Sequence, residues 1–131
     1  MSKKNRKLLA LTLSMCMIFS MSLTSFARTY SLDLPYPLIG SMQSTAVYTK
    51  SSSSTPYVQP SKNTISTNYF LSTTEQSSIT ATDIIATTTT TKKTFTWKTG
   101  YGGVGTSYCL SAYPNVSGSY DAYNVAGTWS E

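Results

Sequence analysis

Thr64-Ile65-Ser66-Thr67-Asn68-Tyr69-Phe70-Leu71 is the stretch that decides the fold. Ile65, Thr67, Tyr69 and Leu71 alternate with Thr64, Ser66, Asn68 and Phe70. Successive side chains of an extended chain point to opposite faces, so a period of two marks a strand with one buried face. The same period returns at Tyr123, Val125, Gly127 and Trp129, which predicts a final strand paired within a sheet. Between them, Thr106 to Ala112 places Tyr108 and Leu110 on one face. Residues 28 to 131 hold 17 serines, 20 threonines and all ten tyrosines of the chain. Thr, Tyr, Val and Ile suit a pleated, half-buried surface, whereas the strong helix formers Ala, Leu, Glu and Lys are sparse. The expected fold is all-β, a small antiparallel β-sandwich or open barrel.

Outward from that strand the pattern weakens. Four of the five prolines, Pro35, Pro37, Pro56 and Pro60, precede residue 61, together with the run Ser51 to Ser54. Proline lacks the donor that a ladder needs. Residues 28–60 are therefore expected to be an extended Pro/Ser-rich segment of irregular or edge structure, with at most one short strand at Ala46 to Lys50, and residues 61–131 the β-sandwich domain. Ile79 to Thr99 is too long for one strand. It carries five consecutive threonines, Thr87 to Thr91, and predicts a turn or bulge near Thr90 to Lys93. Lys92 and Lys93 read as gatekeepers of an exposed edge. The glycines at 100, 102, 103 and 105 then predict a hairpin loop.

The chain opens with Lys3, Lys4, Arg6 and Lys7, followed by an apolar run from Leu8 to Phe19 and by Ser25-Phe26-Ala27. A basic region, an apolar region and a small-x-small site form the pattern of a secretory signal peptide, with cleavage expected after Ala27. The apolar run is roughly a dozen residues, short of the ~20 needed to span a bilayer, so no stable membrane anchor is expected after cleavage. The 104 residues that remain carry six basic side chains (Arg28, Lys50, Lys62, Lys92, Lys93, Lys98) against five acidic ones (Asp33, Glu75, Asp83, Asp121, Glu131). Four of the whole chain's five net positive charges thus reside in its leader and one in the body. A near-neutral body lacks the clustered Lys and Arg that offset phosphate charge, so nucleic acid is not an expected partner. The expected location is extracellular.

The chain contains no histidine. That removes the commonest general base near neutral pH, the Ser-His and Cys-His nucleophile pairs, and the commonest metal ligand. One cysteine, Cys109, remains beyond the leader; it is read as a small buried group, or as a free thiol or intermolecular disulfide that would link a dimer. A carboxylate-pair hydrolase would have to draw on Glu75, Asp83 or Asp121, which stand singly in the sequence. Gly100, Gly102 and Gly105 imitate a dinucleotide-binding G-x-G-x-x-G, but the residues that follow have strand character where that motif opens a helix. No cofactor is expected. Trp97, Tyr101, Tyr113 and Tyr120 are the candidate binding surface, because aromatic rings on a sheet can stack on sugars or proteins at small entropic cost.

Thr96, Trp97, Gly100, Tyr101 and Gly102, in the segment TWKTGYG, resemble the opening segment of the lactococcin 972-type bacteriocins, secreted β-sandwich proteins exported with a signal peptide. The likeness spans seven positions and implies a bacteriocin-like secreted toxin or signal. The reading from the residues themselves is a non-catalytic extracellular binding or surface-interaction module whose ligand is cell wall, polysaccharide or protein. A small carboxylate-dependent hydrolase is the third reading.

Overall fold

A computed structural model describes residues 27–35, 42–116 and 121–131. The leader, apart from Ala27, and Tyr120 lie outside the described residues. The chain there is all-β, nine strands in two antiparallel sheets, with no helix among the described residues.

The strands are β1 (Arg28–Leu34), β2 (Gln43–Ser44), β3 (Tyr48–Thr49), β4 (Tyr57–Lys62), β5 (Thr67–Ser72), β6 (Ile85–Thr87), β7 (Lys93–Thr94), β8 (Ser107–Pro114) and β9 (Tyr123–Ser130). The first sheet runs β1-β9-β4-β7. The second runs β2-β8-β5-β6, with β3 also paired to β8. The predicted final strand, β9, is interior to the first sheet and is flanked by β1 and β4.

The two sheets enclose one core. Tyr30, Leu32 and Leu34 of β1, Val58 of β4, and Val125 and Trp129 of β9 meet Tyr69 and Leu71 of β5 and Leu110 and Ala112 of β8, with Phe95 between them. Because aliphatic residues are few, tyrosines fill much of this volume. Tyr30 meets Tyr69 edge-on at 6.1 Å, and the Tyr123 hydroxyl lies 2.9 Å from the Thr67 hydroxyl. Burial disfavours the phenolate, pushing the Tyr30 phenol up to about 12 and that of Tyr69 higher still, where neighbouring Tyr30 adds to the effect.

Three expectations from the sequence are corrected. Residues 28–60 are not confined to one short strand. They supply β1, which pairs with β9 along all seven residues, and β4, which lies between β9 and β7. Pro60 is tolerated inside β4 because β7 reaches only Tyr57 and Val58, and because the register shifts between Pro60 and Lys62. The alternation around Tyr69 does not mark a half-exposed strand, since every residue of β5 is buried. The glycine-rich segment is not a hairpin loop, because β7 and β8, the strands on either side of it, lie in different sheets.

The turn predicted near Thr90 is present: the chain bends at residues 88–91 and passes from β6 in the second sheet to β7 in the first.

Candidate functional site

Of the aromatic residues singled out in the sequence, the three that are described, Trp97, Tyr101 and Tyr113, do not form one surface. Trp97 is half-buried at the end of the sandwich where β8 begins. Its ring packs on Tyr108 at 4.6 Å, and the Lys50 ammonium lies 5.4 Å from its centroid. Gly102 closes over the indole. A Cβ at Gly102 would stand 2.7 Å from the ring, and the backbone there has φ of +91°, so two independent constraints require glycine. The Gly102 N–H donates to the Tyr108 hydroxyl at 2.7 Å. Tyr101, half-buried, continues this loop with its N–H donating to the Lys98 carbonyl. Trp97 is therefore a plug for one end of the core. Tyr113 sits five residues from Tyr108 along β8, roughly 17 Å away.

Lys50 belongs to the same plug. Only 1% exposed, it donates from Nζ to the Ser54 carbonyl at 3.1 Å. Burial lowers its pKa from the ordinary lysine value, and nearby Glu131 partly offsets the shift. Glu131 in turn holds Arg28 at 3.0 Å, and the Arg28 guanidinium stacks 4.0 Å over Tyr48.

Tyr113 marks a different place, the outer face of the second sheet. On β5 the residues between the core-facing Tyr69 and Leu71 point outward, and Phe70 is 1% exposed without belonging to the main core. It packs edge-on against Tyr113 at 6.1 Å. Met42, Ile84, Ser78 and Thr80 complete a groove of about 260 Å³ around this pair. The floor is aromatic, the walls are aliphatic, and hydroxyls stand at the rim. Ile84 remains 47% exposed, and neighbouring Ile79 is 69% exposed, the most open large apolar residue described. Sequence reasoning missed Met42, Phe70, Ile79 and Ile84. The available signal was Phe70 itself, a large aromatic in an otherwise polar row of Thr64, Ser66 and Asn68.

The far end of that outer face is a small hydroxyl cluster. Ser72 lies 3.3 Å from the Cys109 sulfur and 3.3 Å from Ser111, whose hydroxyl lies 2.8 Å from that of Ser44. Cys109 is fully buried.

Glu75 and Asp121 do not converge. Asp83 accepts a hydrogen bond from the Thr96 N–H at 2.8 Å, a local tie across the crossover. Asp121 precedes Tyr123, which meets Thr67 at the start of β5, whereas Glu75 follows the end of that six-residue strand. Glu75 and Asp121 thus stand on the order of 20 Å apart by strand length, against the ~5–9.5 Å that carboxylate-pair hydrolysis uses. Among the described residues, no three of His, Cys, Asp or Glu gather as a metal site, and no helix is long and apolar enough to cross a membrane.

The comparisons with known proteins give no relative: no family model matches the chain, and neither a curated protein nor a solved structure does.

Proposed function

We propose that this protein is an exported, non-catalytic binding or surface-interaction module, and that the groove around Phe70 and Tyr113 is its contact site. The observation that carries the reading is an aromatic-floored groove, walled in part by Ile84 at 47% exposure, on the outer face of the second sheet. Phe70 and Tyr113 lie outside the main core, and contiguous apolar surface rimmed by polar groups marks an interaction site.

The groove's size and lining indicate what it takes. At about 260 Å³ it is smaller than the ~300 Å³ where pockets begin to enclose a drug-sized molecule. It suits one aromatic or branched aliphatic group. No charged or amide side chain lines it, so little in it would orient the hydroxyls of a sugar ring, and an apolar side chain of an extracellular protein fits better. Ser78, Thr80 and the Tyr113 hydroxyl would set the approach at the rim.

Export is supported by the order of basic run, apolar run and small-x-small site, and by a body whose charges nearly balance. The test is binding of the purified protein to cell walls, polysaccharides and extracellular proteins, beside Ile84→Asp and Tyr113→Ala variants. Capture of a protein ligand by the wild type, weakened at least tenfold in both variants while the melting curve is kept, is the expected result. Binding indifferent to both substitutions would remove the groove from the function.

A further inference from the structure

Three of the four sheet margins are blunted. β7 contributes two ladder residues, one of them Lys93, and is preceded by Lys92. β6 contributes three, and β2 and β3 contribute two each with a break between them. The fourth margin is β1, seven residues long, with no proline, bulge or lysine. Its ladder partners all lie on β9. Among the described residues, no backbone hydrogen bond outside that ladder involves β1. Among the described residues the outward half of its N–H and C=O groups thus has no ladder partner, and such an edge is a template for another strand, the hazard that short or lysine-bearing edges avoid elsewhere in this molecule.

We propose that this edge is a self-association surface, on which β1 of a second copy pairs antiparallel about a two-fold axis through Ser31. The sequence of β1 fits its own reverse. In that register Ser31 faces Ser31, Thr29 faces Asp33, Tyr30 faces Leu32 and Arg28 faces Leu34. The core-facing residues Tyr30, Leu32 and Leu34 stay on one side, so the buried layers of the two copies run together, and Thr29, Ser31 and Asp33 stay on the other. No like charges are opposed. The two Asp33 carboxylates stand four residues apart, roughly 13 Å along the strands, beyond the ~8 Å screening length at physiological salt.

A second observation marks the same flank. Tyr48, 38% exposed, lies beside the start of β1, where it stacks under Arg28 and against Trp129. This exposed aromatic group would be covered by the incoming copy. A seven-residue ladder with one aromatic at each end is small beside the ~1,200–2,000 Å² of a stable interface. The dimer is accordingly weak and dependent on concentration. Its surface is separate from the groove, which lies on the outer face of the other sheet, so either can fail alone.

The test is sedimentation of the purified protein from ~10 μM to ~1 mM, set against the micromolar-to-millimolar affinities that small interfaces support, together with a cysteine scan on β1. The weight-average mass should rise toward twice that of the monomer. Ser31→Lys, at an exposed site, should weaken association at least tenfold while leaving the circular dichroism and melting curve unchanged. Ser31→Cys should form an interchain disulfide, because opposed Cα atoms lie about 4.5–5.5 Å apart across an antiparallel pair and disulfides span about 4.4–6.8 Å. Thr29→Cys and Asp33→Cys, far from their own copies, should not. A monomer at every concentration, equal cross-linking at 29, 31 and 33, or association unaffected by Ser31→Lys would each overturn the proposal. Should the lysine variant fail to fold, the cysteine scan decides alone.

Discussion

Replacing Gly127 by alanine tests whether β4 and β9 approach as closely as the fold requires. Gly127 lies opposite Tyr30 on β1 and Pro60 on β4. An added Cβ would clash with the Gln59 carbonyl oxygen and stand 2.8 Å from the Pro60 Cα. Both are backbone atoms of a central ladder, so no side chain can swing aside. Relief has to come from parting β4 and β9 at the Pro60 bulge, which loosens Val58 and Trp129 beneath it. Overpacking a well-filled core costs typically 1–3 kcal/mol. A backbone clash this close belongs at the upper end, about 3 kcal/mol. For a body of this size the urea slope is ~1 kcal/mol/M, so the midpoint should fall by roughly 3 M. Gly103→Ala is the control, since its Cβ would meet only the Thr106 hydroxyl at 3.7 Å. It should shift the midpoint by less than ~0.5 M, as surface substitutions do. If Gly127→Ala unfolds within ~0.5 M of wild type at unchanged slope, the β4–β9 contact described here is wrong.

Other expectations follow from the buried groups. The Tyr30 phenol, raised in the folded state from 10.0 to about 12, holds its proton where the unfolded chain loses it. Its contribution to stability is complete below pH 10 and lost between pH 10 and 12, amounting to about 3 kcal/mol for a two-unit shift. Tyr30→Phe should reduce that alkaline loss in chemical denaturation, Tyr69 supplying the rest, and an unchanged loss would show that Tyr30 is not a source of it. Lys50 has the opposite sign: with its pKa lowered by burial, the unfolded chain binds the proton that the folded chain has released. Wild-type stability should thus gain on that of Lys50→Met as pH rises toward the ordinary lysine value of 10.5, and a constant difference between them would refute the burial of the ammonium. Gly102→Ala, strained in backbone and pressed on the Trp97 ring, should cost roughly 1–3 kcal/mol and shift tryptophan fluorescence. An unchanged spectrum would detach the loop from Trp97.

The sequence by itself determined the fold class and three of its principal strands, β5, β8 and β9. Alternation at Thr67 to Leu71 and at Tyr123 to Trp129 is a local property, because the pleat turns every second side chain to the same side whatever lies beyond. The bend after Thr87 was legible from length alone, since no single strand reaches from Ile79 to Thr99. Alternation says nothing, however, about what covers each side or which strand lies alongside. Only the tertiary structure showed that β5 is buried on both faces, that Phe70 and Tyr113 share a groove while Trp97 plugs the opposite end of β8, and that the proline-bearing segment completes the first sheet. Pro60 argued against a strand on donor chemistry, and that chemistry was sound. It was offset by β7 stopping two residues earlier and by a bulge, facts that reside in partners more than thirty residues away along the chain. Ladder pairing and the covering of outer faces are long-range choices made by the whole packed body, and no window of the sequence contains them.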